Sequence, residues 1–337
     1  MSKFCRSISS LDEFKKCLNS QENAPIFQKL CRDIETGVVF PAIREEFICF
    51  YYKGSRLFVF DCKNGFRTHA KYAAAINKNA YISQSEYTKD IFFANFSDAY
   101  DRIKENAALY AGLEAKGVAD LYHKSFGKDA KQKYLVLDIE IAFAKKVRKQ
   151  TELKDDLNSD VPDEDLLSNA DEITQGKIPG PKDDRKNKHD RFDILLLEVE
   201  TGTLRFVEAK HYLNKELWAQ KGTRPKVTSQ IKRYLEVLNT PTKKNEIIET
   251  YSGYIKELES LFPIKTHFKM DTKLEIDSQA PVALWVFGFD KDQREGRLKD
   301  LLINDNSLAD VPYYLSGDTK NVEIQTVWEQ IKKTQKA

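Results

Sequence analysis

The chain has 337 residues, of which 41% are hydrophobic and 31% charged, and its formal net charge is +2. This composition is that of a globular protein and excludes disordered and fibrous classes. No apolar run reaches the roughly 18–20 residues that span a bilayer. Asp12 and Glu13 lie where a signal peptide would need its apolar stretch. We therefore expect a cytoplasmic protein with no membrane-spanning segment.

The cysteines are confined to the first 62 residues and include no C-x-x-C pair. An odd number without metal-ligand spacing is typical of reduced, mostly buried thiols rather than of a metal or iron–sulfur site. The residues concerned are Cys5, Cys17, Cys31, Cys49 and Cys62.

The N-terminal part is predicted to begin with a helix over residues 10–34. Residues 37–73 then show β-branched and aromatic runs that are broken at Lys53-Gly54 and Asn64-Gly65. Such runs, separated by residues that favour tight turns, are typical of an antiparallel meander.

Helices and strands alternate in the remainder of the chain. They are predicted as a helix at 97–126 with Ser97 as its N-cap, a strand at 133–146, a hairpin at 191–212, helices at 213–221, 228–238 and 244–261, a strand at 281–290, a helix at 291–304, a strand near 321–327 and a short final helix. This order predicts an α/β fold with two parts, an N-terminal α+β accessory module at 1–95 and a larger domain at 96–337. Residues 149–190 form a long polar insertion, with one short helix predicted at 163–169.

Charge is distributed unevenly around the hairpin. Residues 152–172 contain nine acidic residues and one basic residue, whereas residues 205–234 contain eight basic and two acidic residues. The bases are Arg205, Lys210, Lys215, Lys221, Arg224, Lys226, Lys232 and Arg233. A basic segment beside the hairpin suggests a polyanionic partner, although charge alone is equally typical of a solvated helix face.

The hairpin "RFDILLLEVETGTLRFVEAKHY" places charged side chains inside apolar strands. With Thr201-Gly202 as a two-residue turn, Asp193 would lie opposite Lys210 and Leu195 opposite Glu208. Side chains two residues apart share a face of a strand, so Asp193, Glu208 and Lys210 are predicted on one face. A structural salt bridge between Asp193 and Lys210 on a solvated face is the alternative.

Two clustered carboxylates repel unless a cation neutralises them, and hard oxygen ligands suit Mg²⁺. A metal held in this way can polarise a phosphodiester and lower the pKa of bound water, and a nearby lysine can stabilise the charge that develops on the phosphate.

The segment "FDILLLEVETGTLRFVEAK" resembles the core of the PD-(D/E)XK nucleases, in which an Asp opens one strand and Glu-x-Lys ends the next. The resemblance implies a restriction-endonuclease-like core, with a mixed central sheet flanked by helices. It implies that Asp193, Glu208 and Lys210 are catalytic, and that Asp193, Glu208 and the Ala209 carbonyl bind Mg²⁺ or Mn²⁺.

A second segment, "SQIKRYLEVL", contains Gln230 and Tyr234 in the Gln-x-x-x-Tyr spacing of the RecB-like branch of that superfamily. Residues i and i+4 project from one helical face, and the resemblance implies that both belong to the catalytic site and support Lys210. A chance polar face with a half-buried tyrosine is the alternative for this pair alone.

The family usually has a further acid on the helix before its first core strand. Glu105 and Glu114 lie in the predicted 97–126 helix, where a surface role is expected for each. Glu140 is the preferred candidate for an additional metal ligand. Asp138, Glu140 and Ala142 share one face of the 133–146 strand, and the later half of that strand lies near Asp193 if it pairs antiparallel with 191–199. A salt bridge to nearby bases is the alternative for Glu140.

The sequence therefore predicts a magnesium-dependent nuclease that acts on DNA, while nothing in it separates DNA from RNA or endonuclease from exonuclease activity. An inactive nuclease fold that serves as a nucleic-acid-binding or assembly module is the competing function. No G-x-x-x-x-G-K-[ST] motif occurs, so any ATP-driven step would need a separate ATPase. A free-standing nuclease with an additional N-terminal module suggests a role in phage defence, restriction or repair. A defence-system protein would then be a partner.

Overall fold

A computed structural model describes residues 4–75, 92–126, 132–142, 191–218, 224–269, 271–304 and 311–334. The acidic insertion predicted at 149–190 and its short helix at 163–169 lie outside the described residues.

The N-terminal part contains two helices and a four-stranded antiparallel meander, in the order in which the strands occur along the chain. They are α1 (Leu11–Leu18), α2 (Ala24–Glu35), β1 (Phe40–Arg44), β2 (Phe47–Tyr52), β3 (Ser55–Asp61) and β4 (Gly65–Arg67). The meander is confirmed, and both Lys53 and Gly54 have positive φ, as a tight hairpin turn requires. The single helix predicted at 10–34 is two helices, and Pro25 lies at the start of the second.

Three helices follow the meander within the described residues. They are α3 (Ala70–Ala73), α4 (Tyr100–Leu109) and α5 (Leu113–Tyr122). The helix predicted at 97–126 is therefore interrupted, and Gly112 at the N-cap of α5 accounts for the break because glycine has a poor helix propensity. Ser97 does not cap α4, whose N-cap is Ala99.

A mixed sheet, flanked by helices, forms the central part of the fold. Its strands are β5 (Tyr134–Ala142), β6 (Arg191–Glu198), β7 (Thr203–His211), β8 (Glu275–Ile276), β9 (Val282–Phe287) and β10 (Tyr313–Ser316). The spatial order is β10-β9-β7-β6-β5, with β8 beside β7. β5, β6 and β7 are antiparallel, whereas β7, β9 and β10 are parallel. The predicted α/β architecture is confirmed at this level.

The helical segments of the second half depart in places from the predicted ones. They are a short 3-10 turn (Lys215–Leu217), α6 (Lys226–Leu238), α7 (Pro241–Leu261), a helical segment that begins at Lys291–Gln293 and continues in π-helical turns to residue 304, and α8 (Ile324–Thr334). The strand predicted near 321–327 is wrong, because α8 covers most of that range and β10 lies earlier. None of the described helices has the length and apolarity needed to cross a membrane.

Buried polar contacts join the meander to the central sheet. Arg44 in β1 donates to the carboxylate of Asp138 at 2.8 Å and to the carbonyl of Ile139 at 2.7 Å. Tyr251 in α7 donates to the other oxygen of Asp138 at 2.9 Å, and Arg6 lies 3.3 Å from it. Contacts thus cross the boundary predicted near residue 95, and the division into two domains stays a prediction.

The cysteine prediction is wrong for one pair. Cys17 and Cys62 form a disulfide, with their Cα atoms 5.6 Å apart, and it joins α1 to the residue that follows β3. Cys5, Cys31 and Cys49 are free thiols, as expected, and Cys49 is buried.

We expect Asp138→Asn to lower the free energy of unfolding by roughly 3–5 kcal/mol, because it leaves the buried guanidinium of Arg44 without its counter-charge. Glu295 pairs with Lys299 at 3.7 Å on the surface, so Glu295→Gln should cost about 0–1 kcal/mol and serves as the matched control. Urea unfolding of both variants measures the difference. Equal losses would show that the Asp138 cluster contributes no more than a surface ion pair.

Candidate active site

The hairpin of β6 and β7 has a different register from the predicted one. Ile194 pairs with Val207 and Glu198 with Thr203, so the turn has four residues and ends at Gly202, whose φ is +73°. The shift relative to the predicted register is two residues, and an even shift leaves every side chain on its original face. Asp193 therefore lies beside Glu208 rather than opposite Lys210.

Asp193, Glu208 and Lys210 come together as predicted, but through different contacts. The Ala209 amide donates to Asp193 Oδ2 at 2.7 Å, which ties the half-buried carboxylate to β7. Lys210 Nζ lies 2.6 Å from Glu208 Oε1 and 3.3 Å from Glu216 Oε2. Sequence reasoning missed Glu216, which it treated only as one acid within a basic segment.

Glu208 is the most unusual side chain of this group. It is fully buried, and its Oε1 is paired with the Lys210 ammonium, whereas its Oε2 has no hydrogen-bond partner among the described residues. Burial raises its pKa well above the usual value, and the neighbouring charge of Asp193 raises it further. Burial likewise raises the pKa of Asp193 to about 7, against the opposing effect of Lys210.

Lys210 remains the counter-ion for these acids. Burial disfavours its charged form, but the carboxylates of Glu208 and Asp193 outweigh burial and hold its pKa well above the usual value. Its side chain is only 6% exposed. The ammonium is therefore part of the interior charge balance and not a solvated surface group.

Glu114 joins the site, which the sequence did not favour. It lies in α5, and its Oε1 accepts hydrogen bonds from the His211 amide at 3.0 Å and from Asn214 Nδ2 at 2.6 Å. Its charge is among the causes that raise the pKa of Asp193. Glu105, by contrast, is exposed in α4. The surface role expected for Glu114 is thus wrong.

Glu140 lies in β5 at the register position opposite Asp193, between the pairs Ile139–Ile194 and Ile141–Phe192. Its φ is +50°, an uncommon conformation for a residue with a side chain, and its carboxylate accepts from Tyr51 at 3.0 Å.

Arg191 Nη1 is 3.7 Å from the Glu140 carboxylate. The predicted proximity of Glu140 to the site and the alternative of a salt bridge are therefore both present. Asp138, predicted on the same face, is instead occupied by Arg44 and Tyr251.

Gln230 and Tyr234 are hydrogen-bonded to each other in α6, with Gln230 Nε2 2.7 Å from the Tyr234 hydroxyl. That hydroxyl donates to the carbonyl of Arg191, and the Tyr234 ring lies 3.8 Å from that of Phe192. Their described hydrogen bonds therefore reach the backbone of β6 near Asp193, rather than Lys210 as predicted. Burial, and then the charges of Glu208 and Asp193, raise the pKa of Tyr234.

No family model, curated protein or solved structure matches this chain. What the site can do must therefore be inferred from its own geometry.

The carboxylate oxygens of the site are the kind of ligand that a hard divalent cation prefers. Their arrangement in this structure is not that of a metal site. Among the described residues, no group of three or more His, Cys, Asp or Glu side chains is arranged to hold a metal ion. The Asp193 carboxylate is turned to a backbone amide and that of Glu140 to Tyr51. The buried carboxylate of Glu208, whose Oε2 has no partner among the described residues, is the group that a cation would engage.

We expect Lys210→Met to lower the free energy of unfolding in EDTA by roughly 3–5 kcal/mol, because the buried carboxylates lose their counter-ion. Glu208→Gln keeps the shape of the side chain and removes one of the crowded like charges, so its cost should stay below about 1 kcal/mol. Urea unfolding measures both. A Glu208→Gln variant as unstable as Lys210→Met would mean that attraction to Lys210, rather than repulsion between carboxylates, dominates the site.

Proposed function

We propose that this protein is a metal-dependent nuclease that hydrolyses phosphodiester bonds in DNA, with a core of the PD-(D/E)XK type. The observation that carries the proposal is the fully buried carboxylate of Glu208 beside Asp193, with Lys210 on its Oε1 and no partner for its Oε2 among the described residues. Two carboxylates held side by side in the interior repel each other, and a bound divalent cation would offset that repulsion in addition to Lys210. The mixed sheet, with the acids on adjacent antiparallel strands, is compatible with such a core.

Asp193, Glu208 and the carbonyl of Ala209 would hold Mg²⁺ or Mn²⁺, with Glu140 and Glu114 as the nearest further acids. When bound, the metal supplies a Lewis acid for the phosphodiester and a more acidic water. Lys210, released from Glu208, would place its ammonium against the negative charge that develops on the phosphate.

Gln230 and Tyr234 act on this site through the backbone. The Tyr234 hydroxyl holds the Arg191 carbonyl, two residues before Asp193 in β6. A fixed strand keeps the Asp193 carboxylate within reach of β7, which is the positioning role that a supporting hydrogen bond supplies.

An inactive nuclease fold that only binds nucleic acid is the competing function, and one observation favours it. Lys210 and Glu208 are paired with each other, and the described acids do not form a ready-made metal-binding group. Under this alternative the ion pair is structural, and divalent cations would bind weakly or not at all. For both the nuclease and the inactive module, we propose a cytoplasmic location and a role in phage defence, restriction or repair. A separate ATPase or defence protein would supply any energy-driven step.

We expect Asp193→Ala, Glu208→Ala and Lys210→Ala each to lower the cleavage rate by at least about a hundredfold, because each removes a group that acts on the metal or the phosphate. Glu105→Ala, which removes an exposed acid from α4, should leave the rate unchanged. Cleavage of supercoiled, linear and single-stranded DNA, and of RNA, is followed with Mg²⁺ or with EDTA.

Near-normal cleavage by any of the three variants would contradict the site. A folded wild-type protein that binds DNA but neither cleaves it nor takes up Mg²⁺ in calorimetry would favour the inactive module.

We expect Tyr234→Phe to lower the cleavage rate by about ten- to a hundredfold while metal affinity changes little, since the hydroxyl supports β6 and is not itself a ligand. Calorimetric Mg²⁺ binding and single-turnover cleavage are measured on the same preparation. Full activity in a Gln230→Ala, Tyr234→Phe double variant would reduce the pair to a packing role.

A further inference from the structure

The basic segment at 205–234 divides into interior and exposed charges. Arg205 is fully buried against Asp277 and Trp328, and Lys210 belongs to the site. Lys221 lies outside the described residues. The exposed bases at the start of α6 and along it are Arg224, Lys226, Lys232 and Arg233. Lys215, in the short 3-10 turn before α6, is exposed as well. Because Arg205 and Lys210 are interior, the charge pattern of the sequence overstates the basic surface.

Helix geometry sorts these exposed bases by their position relative to the site. Gln230 marks the flank of α6 that borders the site, because it is half-buried and donates to the Tyr234 hydroxyl. At 100° per residue, Lys226 and Arg233 lie about 40° and 60° around the helix from Gln230, both in the same direction, whereas Lys232 lies about 160° away. Lys226 and Arg233 therefore form an exposed basic rim beside Gln230, and Lys232 projects from the far side of the helix.

The N-terminal end of α6 adds to this positive rim. The helix begins at Lys226, has no acid in its first turn, and has no side-chain cap among the described residues. Its uncompensated N-terminal amides and the ammonium of Lys226 attract the same kind of group, an anion. Lys226 makes no ion pair with a described residue. Glu236, the acid of α6, is exposed and lies three residues after Arg233.

We propose that the α6 rim, Lys226 and Arg233 on either side of Gln230, binds the sugar–phosphate backbone of DNA next to the scissile phosphate. The inference rests on the proposed nuclease function, which supplies the substrate. Gln230 then has two neighbours, with Tyr234 on its buried side and the DNA backbone on its exposed side. The rim contributes affinity and the direction in which the strand enters, but no base recognition, since contacts to phosphates carry no sequence information.

The test is the salt dependence of binding of a fluorescent DNA duplex in EDTA, where cleavage cannot interfere. Each lost phosphate contact should make the slope of log K against log salt less steep by about 0.9, which corresponds to about eightfold weaker binding at 0.1 M salt. We expect this change for Lys226→Gln and the same direction for Arg233→Gln.

Lys232→Gln is the matched control, because it removes the same charge from the flank of the same helix that lies farthest from Gln230. Its slope should stay within about 0.2 of the wild-type slope, since Lys232 lies about 160° around the helix from Gln230 and about 120° from Lys226, and so faces away from the site. Thermal melting of each variant confirms that the fold is retained.

Equal slopes for Lys226→Gln and Lys232→Gln, with normal wild-type binding, would overturn the rim but leave the nuclease proposal intact. Absence of salt-dependent DNA binding by the wild-type protein would overturn both. Arg233 has other contacts within the protein, so a melting temperature that falls only in Arg233→Gln would assign that residue to structure and leave Lys226 to decide the outcome.

Discussion

The central sheet of this protein has to balance the charge of a buried carboxylate, that of Glu208. A carboxylate at the centre of a sheet, fully buried and beside a second one, is tolerated only where a counter-ion is held in place. Lys210, two residues further along β7, is that counter-ion. Because both side chains are buried on a covered face of the sheet, neither charge reaches solvent without displacing the groups that cover it. The sheet therefore forces the acids and the ammonium to stay together.

The N-terminal meander contributes to this balance through β5. Arg44 holds the carbonyl of Ile139, and Tyr51 holds the carboxylate of Glu140, so two consecutive residues of β5 are tied to the meander. Glu140 keeps a positive φ that costs energy in isolation, and such strain persists where the surroundings impose it. The meander thus sets where this acid lies relative to Asp193, and it is more than an appended module.

The sequence predicted the grouping of Asp193, Glu208 and Lys210 but not their pairing. Side chains alternate between the two faces of a strand, so residues two apart share a face. The predicted register could therefore err by two residues and still place all three side chains on one face. The same periodicity carries no information about a third element. Glu114 reaches the site only because α5 packs against the end of β7, a contact between residues 97 positions apart in the chain.

Local sequence patterns also misassigned side chains whose partners are distant along the chain. Arg205 reads as part of a basic surface, yet its partner Asp277 lies 72 residues away and takes it into the interior. Cys17 and Cys62, 45 residues apart, carry no spacing signal for their disulfide. In each case the missing information is tertiary, because a side chain's environment depends on which elements pack together and not on its neighbours in the chain.

One helix joins the interior of the site to its surface. The buried stripe of α6 includes Tyr234, whose hydroxyl fixes β6, and the exposed flank begins with Gln230 and continues to Lys226 and Arg233. The same helix would therefore carry the proposed phosphate contacts on its exposed flank while its buried stripe fixes the strand of Asp193. In a loop, the two sets of side chains would not be held at a constant distance from each other.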